Sequence, residues 1–558
     1  MPHSLKQLLA AWQTAVNHTS HPAPPPYAGP DVPLTNLVEH TDDARPGSCF
    51  IARVRATSDG HRWIGLALER GATLILGQRP LAELPVTIPR NVVYWQVPDT
   101  AETAAWLAAA WHNFPSRRLV VVGITGTNGK TSTAALLHAI LQAAGHKTGL
   151  ISTLRAVIGE RAEPLALHVS TPEAPVVQNY LRQMLDAGVT HCVLETTSHG
   201  LAQHRVTAVE FDTAVITNIT HEHLDYHGSF EAYVQAKSRL FEMVAANNPT
   251  PEKPQPVVKT AVLNRDDPIS YPRLSAIPAP RQMSYSLTDG AAEVTAVNVE
   301  TQPQGTAVDI RLPDGAIIPV KSSLIGLYNV ANMLAAAAAA HSLGVAAAHI
   351  QAGLEAVGLI HGRMHPVQKG QPFRVYVDFA HTPDGLEKTI GAARQILQMS
   401  GQADGRIIAV FGSAGKRDPA KRRMMAEISA EMADLTVLTA EDPRTESLDD
   451  ILETMAGGCR SRGGVEGQTF WRVRDRGQAI YFALTLAQPG DCVLVCGKGH
   501  EQSMCFGTTE HPWDDIEATE IALDAWRNGR PMPDLGLPTY NSDDATVLST
   551  INGQDSQD

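Results

Sequence analysis

The chain has 558 residues, 43% hydrophobic and 18% charged, with 45 basic against 58 acidic side chains and a formal net charge of −13. That length suits about three globular domains, and the acidic balance excludes a general nucleic-acid binder, which needs a broad cationic field; an anionic substrate needs only a local cluster of arginines. The six cysteines show no paired metal-ligand spacing, the N-terminus no signal-peptide pattern and the chain no apolar run of spanning length, so the expectation is a cytoplasmic protein with reduced thiols and no membrane insertion.

Taken in order, residues 1–33 read as an N-terminal extension: an amphipathic helix on Leu5, Leu8, Leu9, Trp12 and Val16, then a Pro-rich linker from His21 to Pro33. Residues 34–116 read as a small α/β domain, with strands at Ser48–Val54 and Ala72–Leu76 and a helix at Trp63–Arg70. Residues 117–361 alternate apolar strands (Leu119–Ile124, His191–Glu195, Thr213–Thr217, Ala261–Asn264) with helices, as a parallel sheet requires, and close with an Ala-rich helix at Asn329–Leu343. Residues 362–530 begin a second doubly wound sheet: strands Phe373–Phe379, Arg406–Gly412 and Asp434–Thr439 interleaved with helices Asp384–Met399 and Lys421–Ala433. Residues 531–558 read as a disordered polar tail. The fold expected is α/β in three domains: a small N-terminal α/β unit, a central P-loop ATPase domain and a C-terminal Rossmann-like domain.

The stretch Gly123-Ile-Thr-Gly-Thr-Asn-Gly-Lys-Thr131 follows a buried strand and opens a helix. Its loop N–H groups and the helix N-terminus face an anion, Lys130 reaches outer phosphates, and the Thr131 hydroxyl suits Mg²⁺. The general P-loop pattern wants glycine where Ile124 stands, so only the shorter Gly-Thr-Asn-Gly-Lys-Thr form is present. Downstream, Glu195 ends a strand, His223 follows another, and Lys237 lies on the next helix. A carboxylate and an imidazole at two strand ends beside a phosphate loop suit a second Mg²⁺.

At these residues the chain resembles the Mur ligases, most of all the branch that adds the third, diamino acid residue to the peptidoglycan stem. The motifs are the phosphate loop, Glu195-Thr-Thr-Ser-His-Gly-Leu-Ala-Gln-His-Arg-Val206, Thr217-Asn-Ile-Thr-His-Glu-His-Leu-Asp-Tyr-His227, Leu327-Tyr-Asn-Val-Ala-Asn332, Gly362-Arg-Met364, Val377-Asp-Phe-Ala-His-Thr-Pro-Asp384, Glu441-Asp-Pro-Arg444 and Gly497-Lys-Gly-His-Glu501. The resemblance implies ATP-dependent amide formation through an acyl-phosphate, with a UDP-muramoyl dipeptide and a diamino acid as partners, Mg²⁺ as cofactor, and a monomer. It implies catalytic roles for Lys130, Glu195, His223 and Lys237, the lysine as a carbamate that holds metal with His223, Glu195 and Thr131. ATP contacts fall on Thr125, Gly126, Thr127, Asn128, Gly129, Lys130, Thr131, Asn329, Arg363, Asp378 and His381. Ser170, Thr171, Ser198, Gln203 and Arg205 match positions that hold the nucleotide-sugar peptide. Arg417, Glu441, Asp442, Pro443, Arg444, Gly497 and Glu501 match the amino-acid pocket, where arginines suit carboxylates bidentately and Glu501 suits a distal ammonium.

The chain departs from the family at several places. Asp-Ser-Arg, whose serine meets uridine, is replaced in Thr41-Asp-Asp-Ala-Arg-Pro-Gly47. Glu441-Asp442 stands where diaminopimelate enzymes carry Asp-Asn, which favours an amine and makes L-lysine or L-ornithine credible beside meso-diaminopimelate, whereas Arg444 keeps a carboxylate contact. Ser413–Asp418 differs from the usual Gly-rich form and His365 replaces a glutamate. Two other readings stand beside the cell-wall ligase: a relative acting on another carboxylate, of folylpolyglutamate or cyanophycin type, and a nucleotide-binding regulator without chemistry. Lys237 counts against the regulator, which has no use for a carbamate lysine.

Overall fold

The structure is a computed structural model and describes residues 3–17, 19–55, 58–165, 170–246, 252–302 and 304–541. The expected N-terminal helix forms at Leu5–Val16, opened by a capping box in which the Ser4 side chain and Gln7 satisfy each other's backbone N–H groups. It is not an appendage. Leu5, Leu8 and Trp12 are buried in one core with Leu74, Trp95 and Trp106, and the Trp12 and Trp106 rings stack at 5.7 Å. The Pro-rich segment is fastened as well: Trp12 Nε1 donates to the Pro22 carbonyl at 2.9 Å and Trp95 Nε1 to that of Pro26 at 3.1 Å. A proline segment offers no ladder of N–H donors, so its free carbonyls take the indoles of the domain it crosses. The first domain therefore uses the segment expected to be an extension. Its sheet is parallel and four-stranded: Asn36–Val38, Ser48–Ile51, Leu74–Gly77 and Val93–Gln96. The helix expected at Trp63–Arg70 splits into a 3₁₀ turn at Gly60–Trp63 and an α-helix at Ile64–Glu69.

The central sheet has eleven strands among the described residues. Its parallel heart runs Thr148–Ile151, His191–Glu195, Val120–Thr125, Thr213–Ile216, Thr260–Asn264, Arg281–Ser286. Val120–Thr125 is completely buried and lies between His191–Glu195 and Thr213–Ile216, so the loops after these three strands converge at one end of the sheet. Marginal strands with antiparallel pairings are absent from the expected plan: Ala156–Ile158 with Arg161–Glu163 on one side, and on the other Val294–Gln302, parallel to Arg281–Ser286 but antiparallel to Gly305–Arg311, which Ile317–Ser322 follows. The Ala-rich helix is Leu327–Ser342, almost entirely buried. Small side chains let it approach the phosphate-loop helix closely.

The third domain is a six-stranded sheet ordered His365–Pro366, Arg374–Asp378, Cys492–Cys496, Ile407–Phe411, Leu435–Leu438, Phe470–Arg472, parallel except for its first strand. A fully buried pair, Arg476 and Asp515, underlies its ligand end: the guanidinium donates to the Cys496 carbonyl at 2.9 Å and the carboxylate accepts the Gly499 N–H at 3.0 Å. The tail expected from residue 531 is in part structured. Met532 and Leu537 are buried on this domain and Gln478 Nε2 donates to the Asn541 carbonyl at 2.7 Å; the rest, from 542, lies outside the described residues. All six cysteines are free and buried. Among the described residues no helix is long and apolar enough to cross a membrane.

Candidate active site

The phosphate loop is shaped by two close approaches. A Cβ on Gly126 (φ 150°) would stand 1.8 Å from Thr217 Oγ1, and one on Gly129 (φ 87°) 2.3 Å from Asn332 Oδ1. Lys130 opens the helix Lys130–Ala143 and its Nζ folds back to the Thr127 carbonyl at 2.8 Å. Thr131 Oγ1 donates to Glu195 at 3.1 Å, and Glu195 also accepts the Thr153 N–H at 3.0 Å, so the carboxylate is anchored at the helix N-terminus. Thr125 is buried in the strand behind the loop. Thr127 bonds the Tyr233 hydroxyl at 2.8 Å, and Asn128 Nδ2 donates across the domain boundary to Asp384 at 2.7 Å.

Lys237 is 1% exposed and its Nζ lies 4.6 Å from the centre of the Tyr233 ring. Burial, then the Lys130 charge, pull its pKa well below the usual lysine value. His223 sits in the left-handed region (φ 57°), its ring 4.6 Å from that of His199; burial and that neighbour keep it neutral. Beside it stands Glu222, which the motif reading passed over. It is 5% exposed, one oxygen lies 3.4 Å from Lys421 Nζ and the other has no partner among the described residues. A buried acid within a motif otherwise rich in functional groups was the available signal.

Two cavities meet at the loop. The first, about 480 Å³, lies between central and C-terminal domains and is walled by Asn128, Gly129, Asn332, Tyr328, Arg363 and Asp378. Asn329, expected at the nucleotide, is turned into its helix: it donates to the Ile325 carbonyl at 2.8 Å and accepts from Asn332 at 3.1 Å. Asn332, one turn on in the same motif, is the asparagine on the wall. Arg363 lies 4.7 Å over the Phe379 ring, and Asp378 accepts the N–H groups of Met364 and Ala380 at 2.7 and 2.9 Å.

The second cavity, about 190 Å³, brings Lys130, Thr131, Glu195 and His223 together with Arg363 and His381, and with Arg417, Glu441, Asp442, Arg444, Gly497 and Glu501 of the third domain. Burial pushes the His381 pKa down to about 3, so it stays neutral. Neither Arg417 nor Arg444 forms an ion pair among the described residues. Burial and the neighbouring Arg444 charge lower the Arg417 pKa. Asp442 is spoken for: Lys498 Nζ donates to it at 2.9 Å and the Cys505 N–H at 2.9 Å. The extra charge expected to favour an amine is thus offset in part by Lys498, which also pairs with Glu501 at 2.5 Å. Glu441 differs. Burial raises its carboxyl to about 7, and Oε2 has no partner among the described residues. The Pro443 carbonyl packs so close to Gly415 that a Cβ there would stand 2.0 Å away.

The residues expected for the nucleotide-sugar peptide divide. Ser170 accepts from Thr153 Oγ1 at 2.8 Å and lines the 190 Å³ cavity. Thr171 is fully buried and donates to the Glu195 carbonyl at 2.9 Å; Ser198 bonds His227 at 3.1 Å. Arg205 donates to Gln203 Oε1 at 2.7 Å and pairs with Glu173 at 3.2 Å. Glu173 in turn meets Arg53 of the first domain at 2.5 Å, and Arg53 and Arg55 line a first-domain cavity of about 450 Å³ that includes Thr41, Asp42 and Trp63. The altered Thr41–Gly47 stretch therefore borders a cavity whose two arginines are both paired with Glu39, which also lines it, and with Glu173.

Residues 124–340 match the Mur ligase middle domain, and residues 362–499 the Mur ligase glutamate ligase domain. The UDP-N-acetylmuramyl-tripeptide synthetase of Roseiflexus sp. (strain RS-1) is 40% identical over 510 residues, covering 91% of this chain and 97% of its own. The UDP-N-acetylmuramoyl-L-alanyl-D-glutamate--2,6-diaminopimelate ligase of Geobacillus thermodenitrificans (strain NG80-2) is 38% identical over 480 residues, covering 86% and 92%. A solved structure of a ligase of that same name, 28% identical, superposes with a TM-score of 0.57 over 89% of this chain and 96% of that one. The MurF of Acinetobacter baumannii shares the fold, at 19% identity and a TM-score of 0.60.

Proposed function

The chain belongs to the Mur ligase family, and from that premise we propose that it is the ATP-dependent ligase that joins a diamino acid to UDP-N-acetylmuramoyl-L-alanyl-D-glutamate in peptidoglycan synthesis. The relatives' names support this reading over a folylpolyglutamate- or cyanophycin-type ligase. The observation that carries it is the small cavity shared by a phosphate loop and two arginines, Arg417 and Arg444, that form no ion pair among the described residues. Two anions must meet there, the substrate carboxylate and the γ-phosphate, and the cations Lys130 and Arg363 reduce their repulsion. The carboxylate oxygen attacks phosphorus, ADP leaves, and the acyl-phosphate forms. The neutral amine of the diamino acid then attacks the acyl carbon and phosphate leaves. Arg363, Asp378 and His381 of the third domain cover the nucleotide, and this excludes water from a labile intermediate.

Thr131 and Glu195 are hard oxygen donors already facing each other, a set that fits Mg²⁺, and His223 with carbamylated Lys237 would hold a second ion. Bound there, the metal supplies charge neutralisation for the phosphates. The buried Lys237 amine, biased to the neutral form, is suited to attack CO₂. A C–N bond forms, a proton goes to solvent, and the lysine carries a carbamate anion in place of an amine.

For the amino acid, Arg417 and Arg444 favour meso-diaminopimelate, which presents two carboxylates. The unpartnered Glu441 oxygen favours L-ornithine or L-lysine as the second reading. Phosphate release with ATP, Mg²⁺ and the UDP-muramoyl dipeptide, each diamino acid added in turn, tests both. Stimulation by meso-diaminopimelate is the expected result. Stimulation by L-lysine or L-ornithine alone moves the assignment to Glu441, and silence with all three overturns the function.

A further inference from the structure

His221 and Glu222 stand in the motif that carries His223, yet neither has a role in the reaction drawn above. Both reach out of the central domain. His221 Nε2 and Asp418 Oδ2 of the C-terminal domain are 2.7 Å apart. Glu222 pairs with Lys421 at 3.4 Å, both side chains nearly inaccessible. Asp418 uses its other oxygen to accept the Ala420 N–H at 2.9 Å, capping the helix Pro419–Met432. One carboxylate thus ties a helix start in one domain to a histidine in the other.

Arg417 immediately precedes that cap. The loop before it is tethered at its other end, because the Glu446 carboxylate accepts the Lys416 N–H at 2.5 Å and Gly415 N–H donates to the Asp442 carbonyl at 2.9 Å. Lys416 is in the left-handed region (φ 55°), a conformation an L-residue holds only under constraint. Arg417 therefore extends into the cavity from a short loop fixed at Asp442 and Glu446 on one side and, through Asp418, at His221 on the other.

We propose that His221 and Glu222 are positioning residues: by pairing with Asp418 and Lys421 across the domain boundary they hold Arg417 over the phosphate loop, so that capture of the amino acid depends on closure of the two domains. A free guanidinium on an untethered loop loses orientation before it loses charge, and a carboxylate bound bidentately feels orientation first. The pairing also orders the reaction, since Arg417 is set only where the His223 segment is already in place.

This rests on the proposed function, and the wild-type protein run beside the variants separates the two. His221→Ala, Asp418→Asn and the double variant are assayed for KM toward ATP and toward the diamino acid, with thermal midpoints as the fold control. Asparagine retains the helix cap, so the Asp418 change addresses the pairing. Each single variant should raise the amino-acid KM about tenfold, with the double variant no worse than either and the ATP KM within about twofold. Additive effects, an equal rise in the ATP KM, or no change in either constant would overturn the proposal. A wild type that responds to no diamino acid instead overturns the function it rests on.

Discussion

Lys237 Nζ donates to the carbonyl of Gly126 at 2.6 Å, joining the helix Phe230–Ala245 to the phosphate loop. Two lysines, 237 and 130, share that one carbonyl, the second at 3.2 Å. Two full positive charges so close are unfavourable, and burial, then the Lys130 charge, bias the deeper one toward the neutral form. Replacing Lys237 by Ala should abolish amide formation while leaving nucleotide binding nearly intact, because the phosphate cradle is built by the loop and Lys130. Phosphate release and calorimetric titration with a non-hydrolysable ATP analogue read the two separately. An unchanged turnover would remove Lys237 from the mechanism.

Gly126 tolerates no side chain, whereas Gly145 does. Both have positive φ, but nothing lies within 4 Å of a Cβ on Gly145. Gly145→Ala should cost only the left-handed strain, about 1 kcal/mol. Gly126→Ala adds a clash with Thr217 and must displace the loop, so nucleotide affinity should fall well beyond the loss of stability. Thermal melts and nucleotide titration of the two variants check this.

Much of this arrangement is legible along the chain because it is local. An apolar strand, two glycines and Lys-Thr at a helix start name the phosphate loop without reference to anything distant, and Glu195 and His223 follow from strand ends. What escaped depends on partners far away in sequence. The charge of Asp442 reads as favouring an amine until Lys498 is found offsetting part of it. The resemblance puts the nucleotide contact on Asn329, and only the helix's rotation shows that one turned inward and Asn332 on the cavity wall. The strands Gly305–Arg311 and Ile317–Ser322 are buried at alternate residues and lack the continuous buried apolar runs that mark the parallel heart. The Pro-rich segment reads as a linker by composition, and only the indoles of Trp12 and Trp95 reveal that it is packed.

Stability should fall in acid through Glu210. Burial alone would raise its pKa, but the His21 contact at 3.2 Å, then Lys259 and Arg117, outweigh it and hold the carboxyl at about 2. The folded value lies below the unfolded one, so the stabilisation is complete above the ordinary carboxyl range and is lost as pH falls through about 2. The difference corresponds to about 3 kcal/mol. Glu210→Gln should therefore lower the thermal midpoint at neutral pH, with the gap to wild type closing in strong acid. A gap that does not depend on pH would show that shape, not charge, is what Glu210 contributes.

Glu441 works in the opposite direction. Burial is the largest influence on it and raises its carboxyl to about 7, against partial relief from Lys421, Arg476 and Lys498. Below the ordinary carboxyl range the side chain is protonated in both folded and unfolded chains and has no pH-dependent effect. As pH rises toward about 7 the unfolded chain releases its proton first, so stability declines; above that it levels off, lower by about 3 kcal/mol at most. Glu441→Gln should match wild type near about pH 4 and be the more stable protein above neutrality. A distal ammonium docking beside the unpartnered Oε2 would favour the carboxylate, so diamino acid binding should release a proton at slightly acid pH. Calorimetry in buffers of different ionisation enthalpy measures that proton directly, and Glu441→Gln should abolish it. If the variant releases the same proton, the ammonium is read by another of the carboxylates that line the cavity, Glu222 or Glu501.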